Sequence, residues 1–216
     1  LAQERSCLKQ LEARGVEGIL ISPSVETVSF EHLSALKNTG MPMVLFDRVC
    51  EQFESDQVGI DNYHAAFQAT EHLIINKYRR IAMLNIGPDI HFAAERSAGY
   101  RDALKKHLLT YGDTLIRLCG PETGSALRDS VRRHLQALLD LPEPPDAVLT
   151  ATDQLSTHSL TVFHELGRRI PDDVALVGFS NMELADVLTP SFSTIHQPAF
   201  EIGRLAAEKL IALIDC

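Results

Sequence analysis

The sequence predicts an α/β protein in which parallel strands are covered by helices. Short, nearly uninterrupted apolar runs recur along the 216-residue chain, and longer segments with apolar residues at helical spacing lie between them. An uninterrupted apolar run is typical of a strand buried on both faces of a parallel sheet, and its alternation with helices is typical of a doubly wound fold. The pattern leaves open whether the strands form one open sheet or two smaller ones.

Six apolar runs predict the strands, and six longer segments predict helices. The strands are predicted over residues 18–21, 43–46, 81–84, 115–118, 147–149 and 174–177. The helices are predicted over residues 30–38, 63–76, 93–107, 125–139, 154–166 and 200–214. Gly15, which closes a further helix at the start of the chain, and Gly167 stand at C-cap positions, and Asp61 stands at an N-cap position.

The composition indicates a globular protein with an excess of acidic groups. Hydrophobic residues make up 45% and charged residues 23%, which suits a chain that buries a core. No apolar run approaches the roughly 18 residues of a membrane span. Twenty Lys and Arg against 29 Asp and Glu give a net charge of −9, which disfavours contact of these residues with a nucleic-acid backbone. The four cysteines, Cys7, Cys50, Cys119 and Cys216, form no CxxC pair and are expected to be free thiols.

No motif for catalysis or cofactor binding occurs in the sequence. The phosphate-binding loops GxGxxG and GxxxxGK[ST], the GxSxG nucleophile elbow and the HExxH zinc motif are all absent. His64 and His72 lie two turns apart on one predicted helix, but no carboxylate or cysteine lies beside them at ligand spacing. We therefore expect no catalytic residues, no metal site and no cofactor.

Polar residues follow the predicted strands at their carboxyl ends, which is where open α/β sheets bind ligands. They are Asp47, Arg48, Asp61, Asp153, Ser180 and Asn181, to which Arg96 is added from the helix after the third strand. Carboxylates that accept from neighbouring hydroxyls, and a guanidinium that donates a planar fork, suit a polyhydroxylated ligand. Phe46, Phe92 or Phe179 could supply an apolar face for a sugar ring.

Each of these residues also has a structural interpretation. Asp61 and Asp153 could simply cap the helices that follow them. Asp47 and Arg48 could form an ion pair, and Arg96 could pair with a nearby carboxylate. The residues alone therefore define a protein that binds a small molecule, and no more.

Segments in order along the chain resemble motifs of the LacI/GalR family of transcriptional repressors. They are GVEGIL at 15–20, PMVLFDR at 42–48, VGIDN at 58–62, HLI at 72–74, YRRIA at 78–82, ERSAGY at 95–100, PDAV at 145–148 with Asp153, IPDDVALVGF at 170–179, and Pro190, Thr194, Gln197, Pro198 and Gly203. Most of these matches are weak singly, but their order over nearly the whole chain is strongly specific.

The resemblance implies the effector-binding core of such a repressor, built like a type I periplasmic sugar-binding protein. Two Rossmann-like subdomains with parallel sheets flanked by helices then clasp a small molecule in the cleft between them. Residues 1–76 with 196–216 form the first subdomain, and residues 77–195 form the second. It also implies a longer protein, with a helix-turn-helix head before Leu1 and a final strand after Cys216, so the first subdomain is expected to be incomplete and the fold truncated at both ends.

The resemblance also implies roles for individual residues. Arg96, Asp153 and Asp61 match residues that hydrogen-bond the effector, and Phe92 and Phe179 are candidates for aromatic contacts. The sequence departs from the family where Thr152 replaces Asn, His158 replaces Gly, and Ser180 replaces Asp. These departures bear on which ligand is bound rather than on the fold.

The function implied is that of the effector-sensing and dimerisation domain of a cytoplasmic bacterial regulator. Its partners would be a sugar or sugar derivative, a second copy of the chain, and operator DNA reached only through the helix-turn-helix head, with no membrane contact. The alternative is an exported sugar-binding protein of a transporter or chemoreceptor, which shares the fold. The PDDVALVGF segment favours the regulator, and an α/β enzyme has no motif to support it.

Overall fold

A computed structural model describes residues 1–50, 52–87, 90–109, 112–120, 122–182 and 192–215. Pro190 and Cys216, which were singled out above, lie outside the described residues. In chain order the elements are α1 (Ala2–Ala13), β1 (Ile19–Ile21), α2 (Glu31–Lys37), β2 (Met43–Phe46), β3 (Asp56–Val58), α3 (Asn62–Ile75), β4 (Ile81–Ile86), α4 (His91–Lys106), a 3-10 turn (Asp113–Leu115), β5 (Ile116–Cys119), α5 (Gly124–Leu139), β6 (Ala147–Thr150), α6 (Asp153–Glu165), β7 (Ala175–Phe179), β8 (Ser193–Ile195) and α7 (Ala199–Ile214).

The strands form two separate parallel sheets flanked by helices, which confirms the predicted fold class and settles the question of one sheet or two. By contacts the chain divides into a first unit, Leu1–Ile60 with Pro198–Cys216, and a second unit, Asp61–Gln197. The first unit holds the sheet of order β1-β2-β3, and the second holds the sheet of order β5-β4-β6-β7-β8. All the paired strands are parallel.

The first unit packs helices on both faces of its sheet. Leu8 of α1 and Leu33 of α2 join Ile19, Ile21 and Leu45 in a core on one face. On the other face, α7 contributes a small core with β2 and β3; its buried members are Val44, Val58, Ile202 and Ala206. In β1, Ile19 and Ile21 face the first of these cores, whereas Leu20, whose side chain points to the opposite face, is 38% exposed.

The second unit has two larger cores, one on each face of its sheet. Residues of α5 and α6, such as Leu135 and Phe163, cover one face, and residues of α3 and α4, such as Leu73 and Leu104, cover the other. Its central strand β6 is buried along its whole length, as the uninterrupted apolar run predicts. Because the strands are parallel, the loops after them lie at one edge of the sheet, and this carboxyl edge is where the candidate site is found.

Helix α3 lies in the second unit, whereas the boundary expected from the sequence, after residue 76, would place it in the first subdomain. The contacts of α3 are with α4, β6 and β7, and Ala69, Leu73 and Ile74 are buried in the core that these elements share. The contact division therefore falls at the start of α3, between Ile60 and Asp61.

Strands β3 and β8 lie outside the six predicted runs. Each is three residues long, and their sequences, Asp-Gln-Val and Ser-Thr-Ile, are largely polar. Both are edge strands of their sheets, and an edge strand has one side open to solvent, so it needs no continuous apolar run. Gly15 and Gly167 do adopt the left-handed backbone predicted for helix ends, with φ of 68° and 65°.

Substitution of Tyr100 by Phe is expected to destabilise the second unit by about 1–3 kcal/mol, because it removes a buried hydrogen bond. The Tyr100 hydroxyl, which is fully buried, donates to the carbonyl of Ile81 at 2.7 Å and so joins α4 to β4. Burial raises the pKa of this phenol well above its ordinary value. Urea unfolding followed by circular dichroism measures the effect. The matched control is Tyr63→Phe, whose exposed hydroxyl donates to Asp102 at 3.0 Å, and an equal loss in both variants would contradict the argument.

Glu4 fixes the segment after β1 to α1, and its substitution by Gln is expected to cost about 1–2 kcal/mol at neutral pH. Its carboxylate accepts from the Ser24 amide at 2.5 Å, from the Thr27 hydroxyl at 2.9 Å and from His32 Nε2 at 2.7 Å. Burial raises the pKa of Glu4, but the bonds from Ser24, His32 and Thr27 outweigh it, so the pKa lies below its ordinary value of 4.5.

The stabilisation from Glu4 is therefore present above the unfolded-state pKa and is lost as the pH falls through the lowered folded-state pKa. The difference in unfolding free energy between the natural chain and Glu4→Gln should shrink when the pH is taken from 7 towards 3. Glu12→Gln, on the exposed side of the same helix, is the control. A Glu4→Gln penalty that does not change with pH would count against the assignment.

Candidate functional site

The candidate site lies at the carboxyl edge of the sheet of the second unit, where four elements present the side chains predicted from the sequence. Phe92 and Arg96 stand on α4, which follows β4. Asp153 is the first residue of α6, after β6, and Phe179 is the last residue of β7. Asp61 directly precedes α3.

Asn85 sets the position of α4 relative to β4. Its buried side-chain amide donates to the carbonyl of Ala93 and to the hydroxyl of Ser97, both at 2.8 Å, and its oxygen accepts from the amide of Ile86 at 2.8 Å. A buried amide with all these bonds fixes the first turns of the helix. Arg96, one residue before Ser97, is thereby held over the carboxyl edge.

Arg96 is the centre of the site. The residue is only 4% exposed, and a buried charge is tolerated only when it is fully hydrogen-bonded. Its Nε donates to Asn62 Oδ1 at 2.9 Å, its Nη1 to the carbonyl of Ala151, and its Nη2 contacts Gln197 Oε1 at 3.5 Å. The partners come from the start of α3, the loop after β6 and the segment after β8, so one guanidinium ties three parts of the chain together.

Two aromatic rings lie over the Arg96 guanidinium. Its Cζ is 3.6 Å from the ring centroid of Phe179 and 4.9 Å from that of Phe92, within the range of a cation–π interaction. Phe179 has no exposed surface, and Phe92 is half-buried. Phe92 and Phe179 are thus placed against the guanidinium, and of the two only Phe92 has exposed surface to offer to a sugar ring. Phe46, the third aromatic candidate, ends β2 of the first unit.

Asp153 and Asp61 occupy different positions at this edge. Thr152, rather than Asp153, caps α6: its hydroxyl accepts from the amide of Leu155 at 3.2 Å. The Asp153 carboxylate is exposed and accepts a hydrogen bond from the hydroxyl of Ser180. Asp61 does cap α3, since it accepts from the amide of His64 at 2.8 Å, and it stands next to the Asn62 that contacts Arg96.

The structure adds two polar residues, Asn62 and Gln197, that the sequence did not assign to the site. Both contact Arg96, and Gln197 also exchanges two hydrogen bonds, both at 2.8 Å, with Asn181, which the sequence had singled out. Asn62 and Gln197 stand within the quoted family motifs, but nothing in those motifs distinguishes a partner of Arg96 from a turn residue. The only local signal is a polar residue in a position that proves to be buried, as Asn62 is at 3% exposure.

Two further properties bear on what the site can do. In the described part of the chain, no three His, Cys, Asp or Glu side chains are grouped so that they could hold a metal ion. None of the described helices is both long enough and apolar enough to cross a membrane. The edge itself presents one guanidinium, carboxylates, and amide and hydroxyl groups, all of which donate or accept hydrogen bonds.

A parallel α/β unit with polar side chains gathered at its carboxyl edge is a ligand-binding domain of the doubly wound class. Residues 70–215 match the model of the periplasmic binding protein-like domain family, and the chain belongs to that family. The resemblance to LacI/GalR repressors is confirmed by the relatives that follow.

The similar proteins of known role are transcriptional regulators. The chain is 28% identical over 213 residues to the HTH-type transcriptional repressor CytR of Escherichia coli, which is 99% of this chain and 60% of that repressor. It is 34% identical over 179 residues to the HTH-type transcriptional regulator CelR of Thermobifida fusca, 82% of this chain and 51% of that regulator. A solved regulatory protein of the LacI family from Chloroflexus aggregans superposes with a TM-score of 0.84 at 28% identity, covering 97% of this chain and 73% of that one. The chain thus spans about 60% of the length of CytR.

Proposed function

We propose that this chain is the effector-sensing domain of a bacterial transcriptional regulator. In this proposal it binds a small polyhydroxylated molecule, a sugar or sugar derivative, at the carboxyl edge of the second unit. The observation that carries the proposal is the buried Arg96, which is in contact with two aromatic rings and hydrogen-bonded to three segments at that edge. The regulators among its relatives favour this function over that of an exported sugar-binding protein.

Each predicted site residue has a role in the proposal. Arg96 donates hydrogen bonds to ligand oxygens, and Asp153 accepts from ligand hydroxyls. Phe92, which keeps exposed surface, contacts the ligand at the rim, whereas the fully buried Phe179 acts by holding the guanidinium. Asp61 offers a second carboxylate beside Asn62 while it caps α3.

The proposal includes the partners of a regulator. The chain would act as a homodimer in the cytoplasm, without catalytic activity and without a cofactor. Operator DNA would be contacted by a helix-turn-helix segment that is separate from these residues, whose net charge of −9 repels a phosphate backbone. Effector binding would change the population of two conformations and so the affinity for the operator.

A thermal-shift screen tests the proposal. The panel contains D-ribose, D-glucose, D-galactose, cellobiose, adenine and uracil, and a ligand that binds the folded state raises the melting temperature. We expect one of the sugars to raise the melting temperature in a dose-dependent way. When its concentration is a hundred times its dissociation constant, binding adds about 2.7 kcal/mol to the free energy of unfolding. If only the nucleobases raise the melting temperature, or if no compound raises it, the sugar assignment is contradicted.

Asp153→Asn is expected to weaken binding of the active sugar by about tenfold, since the amide accepts less strongly than a carboxylate and brings a donor of its own. Isothermal titration calorimetry measures the affinity. Asp129→Asn, an exposed change of the same kind on α5, is the matched control and should bind as the natural chain does. Equal affinity in the two variants would remove Asp153 from the site.

A further inference from the structure

The hydroxyl of Ser180 lies between two groups of the candidate site. Ser180 follows β7, is only 1% exposed, and contacts Asp153 Oδ1 through its Oγ. The same oxygen accepts from the backbone amide of Met182 at 3.1 Å. Because the amide supplies the proton of that second bond, the hydroxyl proton of Ser180 is directed at the carboxylate, which makes a charge-assisted hydrogen bond.

The backbone around Ser180 is itself fixed from β8. The amide of Ser180 donates to the carbonyl of Ile195 at 3.3 Å. Asn181 Nδ2 donates to the carbonyl of Gln197, and the amide of Gln197 donates to Asn181 Oδ1, both at 2.8 Å. The residues that directly follow β7, Ser180 and Asn181, are therefore tied to the end of β8 and to Gln197, and the hydroxyl of Ser180 has a defined position before any ligand arrives.

Asp153 depends on this contact for its orientation. Its carboxylate is exposed on the first turn of α6, where only Ser180 Oγ bonds it among the residues that the structure describes. An exposed aspartate without such a bond samples several side-chain rotamers. With one lone pair of Oδ1 engaged, Oδ2 is the oxygen that no described residue bonds, and so it is the better placed of the two to accept from a ligand.

We propose that Ser180 is a positioning residue that fixes the Asp153 carboxylate for ligand binding and leaves its Oδ2 as the acceptor. The ligand group opposite Oδ2 is then a hydroxyl or N–H donor, and a group with only acceptor atoms is disfavoured there. The positioning itself needs no ligand, whereas its effect on affinity rests on the function proposed above.

The first experiment is made without ligand. Three-bond Hα–Hβ couplings of Asp153, measured by NMR, report whether one rotamer or several are populated. We expect one rotamer in the natural chain and in Ser180→Thr, which keeps a hydroxyl, and averaged couplings in Ser180→Ala. Ser159→Ala is the matched control, because Ser159 is buried on α6 and its hydroxyl has no partner among the described residues. Averaged couplings in the natural chain, or a single rotamer in Ser180→Ala, would overturn the proposal.

The second experiment uses the panel sugar that gives the largest thermal shift, titrated by calorimetry. Ser180→Ala should bind it about 3- to 10-fold more weakly, the cost of ordering one free side chain on binding, while Ser180→Thr and Ser159→Ala stay near the natural affinity. Unchanged affinity in Ser180→Ala would show that the bond does not serve binding. If no sugar binds the natural chain, the proposed function fails, and the couplings still decide whether Ser180 positions Asp153.

Discussion

Gly99→Ala is expected to destabilise the second unit by about 3 kcal/mol. Gly99 lies where α4 crosses α3, and a Cβ there would stand 2.1 Å from the carbonyl oxygen of Tyr63 and 3.0 Å from the amide nitrogen of Phe67. Both atoms belong to the backbone of α3, so neither can withdraw unless the whole helix moves. Overpacking of this kind typically costs about 1–3 kcal/mol, and more where backbone must shift.

The movement would also reach the candidate site. Helix α3 begins with Asn62 and α4 carries Arg96, whose side chains are joined at 2.9 Å. Separating the helices lengthens that bond, so the variant should lose sugar binding together with stability. Thermal unfolding by circular dichroism measures the first effect, and the thermal-shift assay with the active sugar measures the second.

Gly203→Ala on α7 is the matched control for Gly99→Ala. A Cβ at Gly203 would have no atom within 4 Å, and alanine in an open helix position is more favourable than glycine by about 0.5–1 kcal/mol. The two substitutions are therefore expected to change stability in opposite directions. If both variants lose the same amount of stability, the close approach of α3 and α4 at Gly99 is not the cause of the destabilisation.

Arg96→Ala is expected to abolish sugar binding and to lower stability by about 2–4 kcal/mol. The substitution removes the charged donor that bonds the Oδ1 of buried Asn62 and the carbonyl of Ala151, and the loss of a buried hydrogen bond to a charged group costs about 1.5–3 kcal/mol. It also leaves Phe92 and Phe179 facing an empty space. Arg96→Lys keeps the charge, but an ammonium group cannot supply the planar fork or lie flat against the rings. This variant should therefore retain only part of the stability and only part of the affinity for the sugar.

Stability and binding are separated by measuring, for each variant, its melting temperature without ligand and the increase in melting temperature that the sugar produces. The control is Arg101→Ala, one turn further along α4, where the exposed guanidinium stands 3.9 Å from Asp113. A surface pair of this kind contributes about 0–1 kcal/mol, so this variant should keep both its melting temperature and its response to the sugar. An Arg96→Ala chain that still responds to the sugar would refute the central role given to Arg96.

The sequence was sufficient for elements whose burial is local and continuous. The run at 147–149 predicted β6, which is buried on both faces, and the spacing of apolar residues over 200–214 predicted α7. It was insufficient where tertiary position overrides the pattern. The polar strand β8 exists because β7 offers it a free edge, and α3 belongs with α4 because Gly99 permits their close approach.

The candidate site shows the same limit. Arg96 and Asp153 could be selected from the sequence because they follow strands, and the structure places both at the carboxyl edge. The partners of Arg96 could not be selected, since Asn62 and Gln197 are 34 and 101 residues away from it. The contact of Phe179 with a guanidinium could not be predicted either. An aromatic residue at the end of a strand gives the same sequence pattern whether its ring contacts a ligand or another side chain.

Asn62 and Gln197 stand at opposite ends of the sequence of the second unit, yet both contact one guanidinium. The chain therefore enters and leaves this unit at neighbouring points. A segment with adjoining ends can be excised and inserted into the loop of another protein, or closed by a short linker and opened elsewhere, without stretching its fold. By joining the two ends of the second unit, Arg96 makes this unit suitable for insertion into a loop of a host protein, where the proposed binding of a sugar could be detected through the host.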